Sequence, residues 1–186
     1  MLRFIKSASN SQSWYNHDKV EICFIGRSNV GKSSLINSLS NSAVSKVSNT
    51  PGRTQLINFF EDDQKNVYVD LPGYGFAQMP KDKLEKMHQM IDEYLQNRKN
   101  LKTIVLLFDS RRGILDQDLD FINWAQQAKK NIILLATKID KLNQAQKHKL
   151  LVSLKELNLE KSVLLVSSLK RTNIDNLKKL LASEFK

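Results

Sequence analysis

The sequence predicts an α/β fold: a mixed, mostly parallel sheet of about six strands with helices on both faces. Three observations carry that prediction. Short β-branched and aliphatic runs alternate with longer stretches of helical period. One pair of strand-like runs lies too close together for a crossover helix. A glycine-bracketed loop ending in Lys-Ser joins an early strand to the helix that follows it.

In chain order, residues 20–25 read as a strand and 32–39 as a helix. Runs 55–60 and 67–70 are separated only by the polar stretch 61–66, so they pair as an antiparallel hairpin and the sheet becomes mixed. A helix is expected over 81–96, a strand over 103–108 and a helix over 115–128. Two more units follow, 131–136 with 144–157 and 162–166 with 174–185. Residues 1–18 are polar and read as an N-terminal extension or an extra edge element; 19–186 read as one domain, with no repeat, low-complexity block or Pro/Gly-rich linker.

Composition narrows the class. With 41% hydrophobic and 26% charged residues the 186-residue chain is far from a disordered composition and long enough for a substantial core. One cysteine, Cys23, lies in an apolar run, which excludes an intrachain disulfide and argues for a reducing compartment. No run approaches the roughly 18 apolar residues of a membrane span, no signal-peptide core follows Met1, and neither Leu2 nor the C-terminal residues carry a lipidation signal, so a cytoplasmic location without membrane is expected. The net charge of +10 is uneven: from Lys129 onward there are 13 Lys and Arg against 5 Asp and Glu. That basic third fits a polyanion, or equally the wet faces of helices. His17, His88 and His148 show no ligand spacing, and Trp14 and Trp124 read as packing residues.

Four short motifs carry chemistry. Gly26, Arg27, Ser28, Asn29, Val30, Gly31, Lys32 and Ser33 fit G-x-x-x-x-G-K-[ST] between a strand and a helix. The glycines let successive N–H groups and the helix N-terminus face phosphates, Lys32 bridges the β- and γ-phosphates, and Ser33 offers its hydroxyl to Mg2+. Asp70, Leu71, Pro72 and Gly73 end the hairpin, where the carboxylate reaches the magnesium shell through water and the Gly73 N–H approaches a γ-phosphate. Thr137, Lys138, Ile139 and Asp140 follow a strand. The Asp140 carboxylate can accept from the N1–H and 2-amino group of guanine, which adenine cannot match, and this argues against an adenine-nucleotide enzyme such as a kinase. Val166, Ser167 and Ser168, after the last strand, add a backbone N–H for the guanine oxygen.

In this order the motifs resemble P-loop NTPases of the Ras-like G-domain type. Within them the chain is similar to the EngB family, also called YsxC or YihA, in the TrmE-Era-EngA-EngB-septin-like class. The resemblance covers nearly the whole chain. It rests on the 26–33 loop, on Thr50-Pro-Gly-Arg-Thr-Gln55 running into Asn58-Phe59, on Asp70-Leu-Pro-Gly-Tyr-Gly75, and on Phe108-Asp109-Ser110-Arg111 with Gly113. It implies a GTP/GDP- and Mg2+-binding GTPase in which Gly52, Arg53, Thr54, Gln55 and Leu56 lie along the nucleotide. Thr54 is a direct magnesium ligand with Ser33, preferred over Thr50 because it immediately precedes the strand, while Thr50 before Pro51 shapes a turn. Lys32, Thr54 and Gly73 are the expected catalytic groups. Where Ras-type enzymes carry a water-orienting glutamine this chain has Tyr74, so slow intrinsic hydrolysis is expected; Asn29 is a candidate K+ ligand, and an activating group from a partner is the other remedy.

Two functions compete. The resemblance implies a switch in large ribosomal subunit assembly, contacting rRNA and ribosomal proteins but no DNA, and needed for normal septation; a monomer is expected because no exposed apolar heptad or repeat suggests self-association. The alternative is a regulatory GTP-binding module that recruits a cell-division protein without a ribosomal role.

Overall fold

The six residues of β2 (Glu21–Gly26) are buried from end to end, and the architecture follows from that strand. Ile22 and Phe24 point to one face of the sheet and Cys23 and Ile25 to the other, so both faces need a cover. In this computed structural model, which describes residues 1–45, 56–74 and 80–186, β2 lies between two parallel neighbours, β4 (Val67–Asp70) and β5 (Leu101–Asp109). Beyond β5 come β6 (Asn131–Thr137) and β7 (Val163–Leu165), both parallel. Beyond β4 come β3 (Ile57–Glu61) and β1 (Arg3–Ala8), each antiparallel to its neighbour. Among the described residues the order is β1-β3-β4-β2-β5-β6-β7.

Among the described residues five α-helices cover the sheet. Helices α1 (Lys32–Ser40) and α5 (Ile174–Glu184) place Leu35, Ile36, Leu177 and Leu181 against Ile22, Phe24, Val105 and Leu107. On the opposite face, α2 (Lys81–Asn97) and α3 (Asp116–Gln127) set Met87, Met90, Ile91 and Ile122 against Cys23, Ile25, Ile104 and Leu106. Helix α4 (Gln144–Glu156) closes a smaller cluster through Leu150 and Leu154 on Phe108 and Ala136. It starts at a reciprocal cap: Asn143 Oδ1 accepts from the Gln146 N–H and Gln146 Oε1 from the Asn143 N–H, both at 2.9 Å. Each large aliphatic side chain so buried contributes about 1.5–3 kcal/mol. None of the described helices is long and apolar enough to cross a membrane.

Among the described residues the sheet has seven strands rather than about six. The added one, β1, comes from the polar N-terminal segment, which lies on the edge of the same sheet and is held mainly by backbone pairing to β3. Its alternation is broken by a bulge between Phe4 and Lys6, and Phe4 stacks edge-on against Phe60 at 5.8 Å while remaining half exposed. An edge strand that buries so little has no strong apolar signature. The hairpin is present, with β3 running from Ile57 to Glu61 and Asn58 opposite Asp70. Other boundaries fall within two residues of those expected.

At the N-terminal end of β2, far along the strand from its glycine, Glu21 is wholly buried. Its carboxylate accepts from Arg98 Nε at 2.9 Å and Nη2 at 2.5 Å and from the Tyr94 hydroxyl at 2.5 Å, with His17 Nε2 at 2.8 Å. Arg98 also donates to the Tyr15 carbonyl at 2.7 Å and lies over the rings of Trp14 and Phe59. The network binds the segment after β1 to the end of α2. Arg98→Ala strands a buried carboxylate, and urea unfolding is expected to show a loss of about 3–5 kcal/mol.

Candidate nucleotide-binding site

Strands β2, β5, β6 and β7 run parallel, so the loops after them open on one edge of the sheet, the edge where open α/β sheets bind ligands. Gly26 ends β2 there, and a Cβ on it would stand 2.5 Å from the Leu107 carbonyl oxygen, so no larger residue fits. The loop then turns through Asn29 (φ 61) and Gly31 (φ 100) into α1. With Gly31 at the cap, no side chain caps the first-turn N–H groups of α1, which suits an anion. Ser33, half-buried, is in that first turn.

Lys32 is 7% exposed and its ammonium pairs with the Asp70 carboxylate, which is completely buried. Burial pushes the Asp70 carboxyl up, against the opposing pull of Lys32. Asp70 Oδ2 has no hydrogen-bond partner among the described residues. Leu71, Pro72 and Gly73 continue along the P-loop: the Leu71 N–H donates to the Phe24 carbonyl at 3.1 Å and the Tyr74 N–H to the Gly26 carbonyl at 3.2 Å. A Cβ on Gly73 would meet the Ser28 nitrogen at 3.1 Å, so here too backbone packs on backbone.

The 137–140 segment supports the same loop. Thr137 Oγ1 lies 2.6 Å from the Val30 carbonyl oxygen, and Lys138 Nζ donates to the Asn29 carbonyl at 2.6 Å and to Asp109 Oδ2 at 3.0 Å. The Asp109 carboxylate also accepts from Arg111 Nε at 2.9 Å and Nη2 at 2.6 Å. Burial alone would raise its carboxyl; the Arg111 and Lys138 hydrogen bonds outweigh that and hold it at about 2. The Asp140 carboxylate accepts from the Ser167 hydroxyl at 2.6 Å, while Ser167 Oγ accepts from the Lys170 N–H at 3.0 Å. The Ile139 N–H reaches the Val166 carbonyl at 3.3 Å, and the Ser168 carbonyl accepts from Ser38 of α1 at 3.3 Å.

The 26–33, 70–73, 137–140 and 166–168 segments are therefore interlocked on one edge. Of the other expected residues, Gly52, Arg53, Thr54 and Gln55 lie outside the described residues. Leu56 lines a groove with Met87 and Met90 of α2. The Arg27 side chain turns to α3, donating to Gln117 Oε1 at 3.3 Å. Sequence reasoning gave no role to Asp109, which anchors Lys138, or to Asp118, which holds Tyr74 at 2.5 Å. Asp109 lay within a recognised motif, whereas nothing local marks Asp118.

Comparison with known proteins agrees with this geometry. A family model described as "50S ribosome-binding GTPase" matches residues 21–138. The probable GTP-binding protein EngB of Mycoplasmopsis synoviae is 50% identical over 188 residues, spanning 100% of both chains. This chain belongs to the EngB family. The EngB of Tolumonas auensis is 40% identical, over 97% of this chain and 88% of its own. A crystal structure of a probable EngB protein superposes with a TM-score of 0.72 at 27% identity, covering 89% of this chain and 98% of that one. Aquifex aeolicus Era bound to GDP·AlF4− gives 0.71 at 25% identity, over 91% of this chain and 58% of its own. As an EngB-family protein the chain is a GTP-binding protein of the P-loop GTPase class.

Asp140→Asn exchanges an acceptor oxygen for a donor. Nucleotide competition is expected to show GTP affinity falling about 100-fold or more, with xanthosine triphosphate becoming the preferred ligand.

Proposed function

We propose that this EngB-family protein is a slow, magnesium-dependent GTPase whose GTP-loaded form docks on the large ribosomal subunit or its precursor and leaves after hydrolysis. The observation that carries the nucleotide half is the buried Lys32–Asp70 pair with its unpartnered Asp70 Oδ2 beneath the P-loop. Triphosphate draws the Lys32 ammonium off Asp70 and onto the β- and γ-phosphate oxygens. The carboxylate released, an anionic oxygen acceptor, fits a hard cation, as do the hydroxyls of Ser33 and Thr54. Bound magnesium would neutralise charge on the phosphates.

The chain's own residues do the rest. Lys32 and the Gly73 N–H stabilise charge on the transferring phosphoryl group, and the P-loop excludes water from its inner side. Tyr74 carries no amide to orient a water molecule, which keeps turnover slow; a potassium ion at the exposed Asn29 would supply positive charge, as would a group from the docking partner. For the ribosomal half, support comes from the description of the matching family and from the basic C-terminal third, suited to rRNA phosphates. A role in septation then follows from ribosome supply, and the working state is a cytoplasmic monomer.

Co-sedimentation with large subunits and their precursors tests the reading. Retention with a non-hydrolysable GTP analogue, absent with GDP and weakening as salt rises, is expected; equal absence with both would sink the ribosomal role. Chelating magnesium with EDTA is expected to abolish turnover, and replacing potassium by sodium to lower it.

A further inference from the structure

We infer that Asp118, on α3, is a positioning residue for γ-phosphate recognition, acting through the Tyr74 hydroxyl to hold the Gly73–Tyr74 peptide against the P-loop. The inference rests on the GTP-switch reading above and concerns how that switch tells GTP from GDP.

Tyr74 is fastened at three points. Its N–H donates to the Gly26 carbonyl at 3.2 Å, its carbonyl accepts from the Ser28 N–H at 2.9 Å, and its hydroxyl donates to Asp118 Oδ1 at 2.5 Å. The first two bonds form an isolated parallel bridge between Arg27 and Tyr74, beyond the last β2–β4 pair at Phe24 and Asp70. The third reaches across to another element. Asp118 is 1% exposed, and its second oxygen accepts from the Leu115 N–H at 3.0 Å at the start of α3. The carboxylate is thus immobilised before it holds anything. Beside it, Gln117 accepts from Arg27 of the P-loop at 3.3 Å, so one helix turn grips both strands of the bridge. Burial and then the Asp118 bond push the Tyr74 phenol well above its ordinary value, so the hydroxyl remains a donor throughout the neutral range.

The grip matters for one ligand more than another. Gly73 has no side chain, and its backbone already lies against Ser28; its N–H belongs to the Pro72–Gly73 peptide, and fixing the next peptide, Gly73–Tyr74, limits how far that N–H can swing. A tyrosine ring anchored at its far end fixes that peptide and leaves Gly73 preset for a γ-phosphate. GDP lacks the γ-phosphate and is held by the P-loop and Asp140 alone. Asp118 therefore contributes to GTP affinity and leaves GDP affinity unchanged.

The test is equilibrium binding of GDP and a non-hydrolysable GTP analogue, with magnesium, to the full chain and its variants. Tyr74→Phe removes one oxygen and keeps the ring. Affinity for the analogue is expected to fall about three- to tenfold, the net worth of one ordinary hydrogen bond because this one acts on the phosphate at one remove, with GDP unchanged within about twofold. Asp118→Asn retains an acceptor oxygen and should lie between the wild type and Asp118→Ala, and Tyr74→Phe added to Asp118→Ala should cost nothing further. Equal loss for both nucleotides, or no loss for either in Tyr74→Phe, overturns the inference. A wild-type chain that binds neither nucleotide overturns the GTP reading itself, a result distinct from both.

Discussion

Two pieces of bare backbone meet where β2 ends, and the site is built around that meeting. Gly26 lies against the Leu107 carbonyl at a distance that leaves no room for a side-chain carbon, and Gly73 lies against Ser28 at one that would crowd it. This close approach lets the segment after β4 run beside the P-loop, and it brings Asp70 under Lys32. The loops after β6 and β7 then dock from the other side, Thr137 and Lys138 on P-loop carbonyls and Ser167 on Asp140. Thr137, Lys138 and Tyr74 are tied directly to the backbone of residues 26–31, and the 166–168 segment reaches it only through the 139–140 turn.

The parts of this arrangement that the sequence announces are those in which a ligand or a tight backbone dictates residue type. Gly26, Gly31, Lys32 and Ser33 have few physical substitutes at their spacing, and Asp140 has none for guanine. The sheet was legible for a related reason: strands buried on both faces, such as 104–107, read as unbroken aliphatic runs. The seventh strand was not, because β1 is held by main-chain hydrogen bonds that any sequence can make. Asp118 was hidden for another reason. Its meaning lies in a tyrosine 44 positions earlier, and no local pattern records a contact across that distance.

The ends of β2 solve opposite problems. At one end the chain buries Glu21 and satisfies it from three directions, with an aromatic cage around Arg98. At the other, Asp70 Oδ2 is buried with no hydrogen-bond partner among the described residues. A satisfied network is rigid, whereas an unmatched oxygen costs energy until something arrives to use it. The sheet between them is continuous and aliphatic, so the anchored end steadies the strand whose other end must receive a ligand.

The Lys32–Asp70 pair has one further consequence. An ammonium and a carboxylate this deep would each be ruinous alone. Because each neutralises the other, anything that takes one partner away must supply a replacement charge for the one left behind. A ligand that brought only an anion for Lys32 would strand Asp70, so the pair favours joint arrival of an anion and a cation.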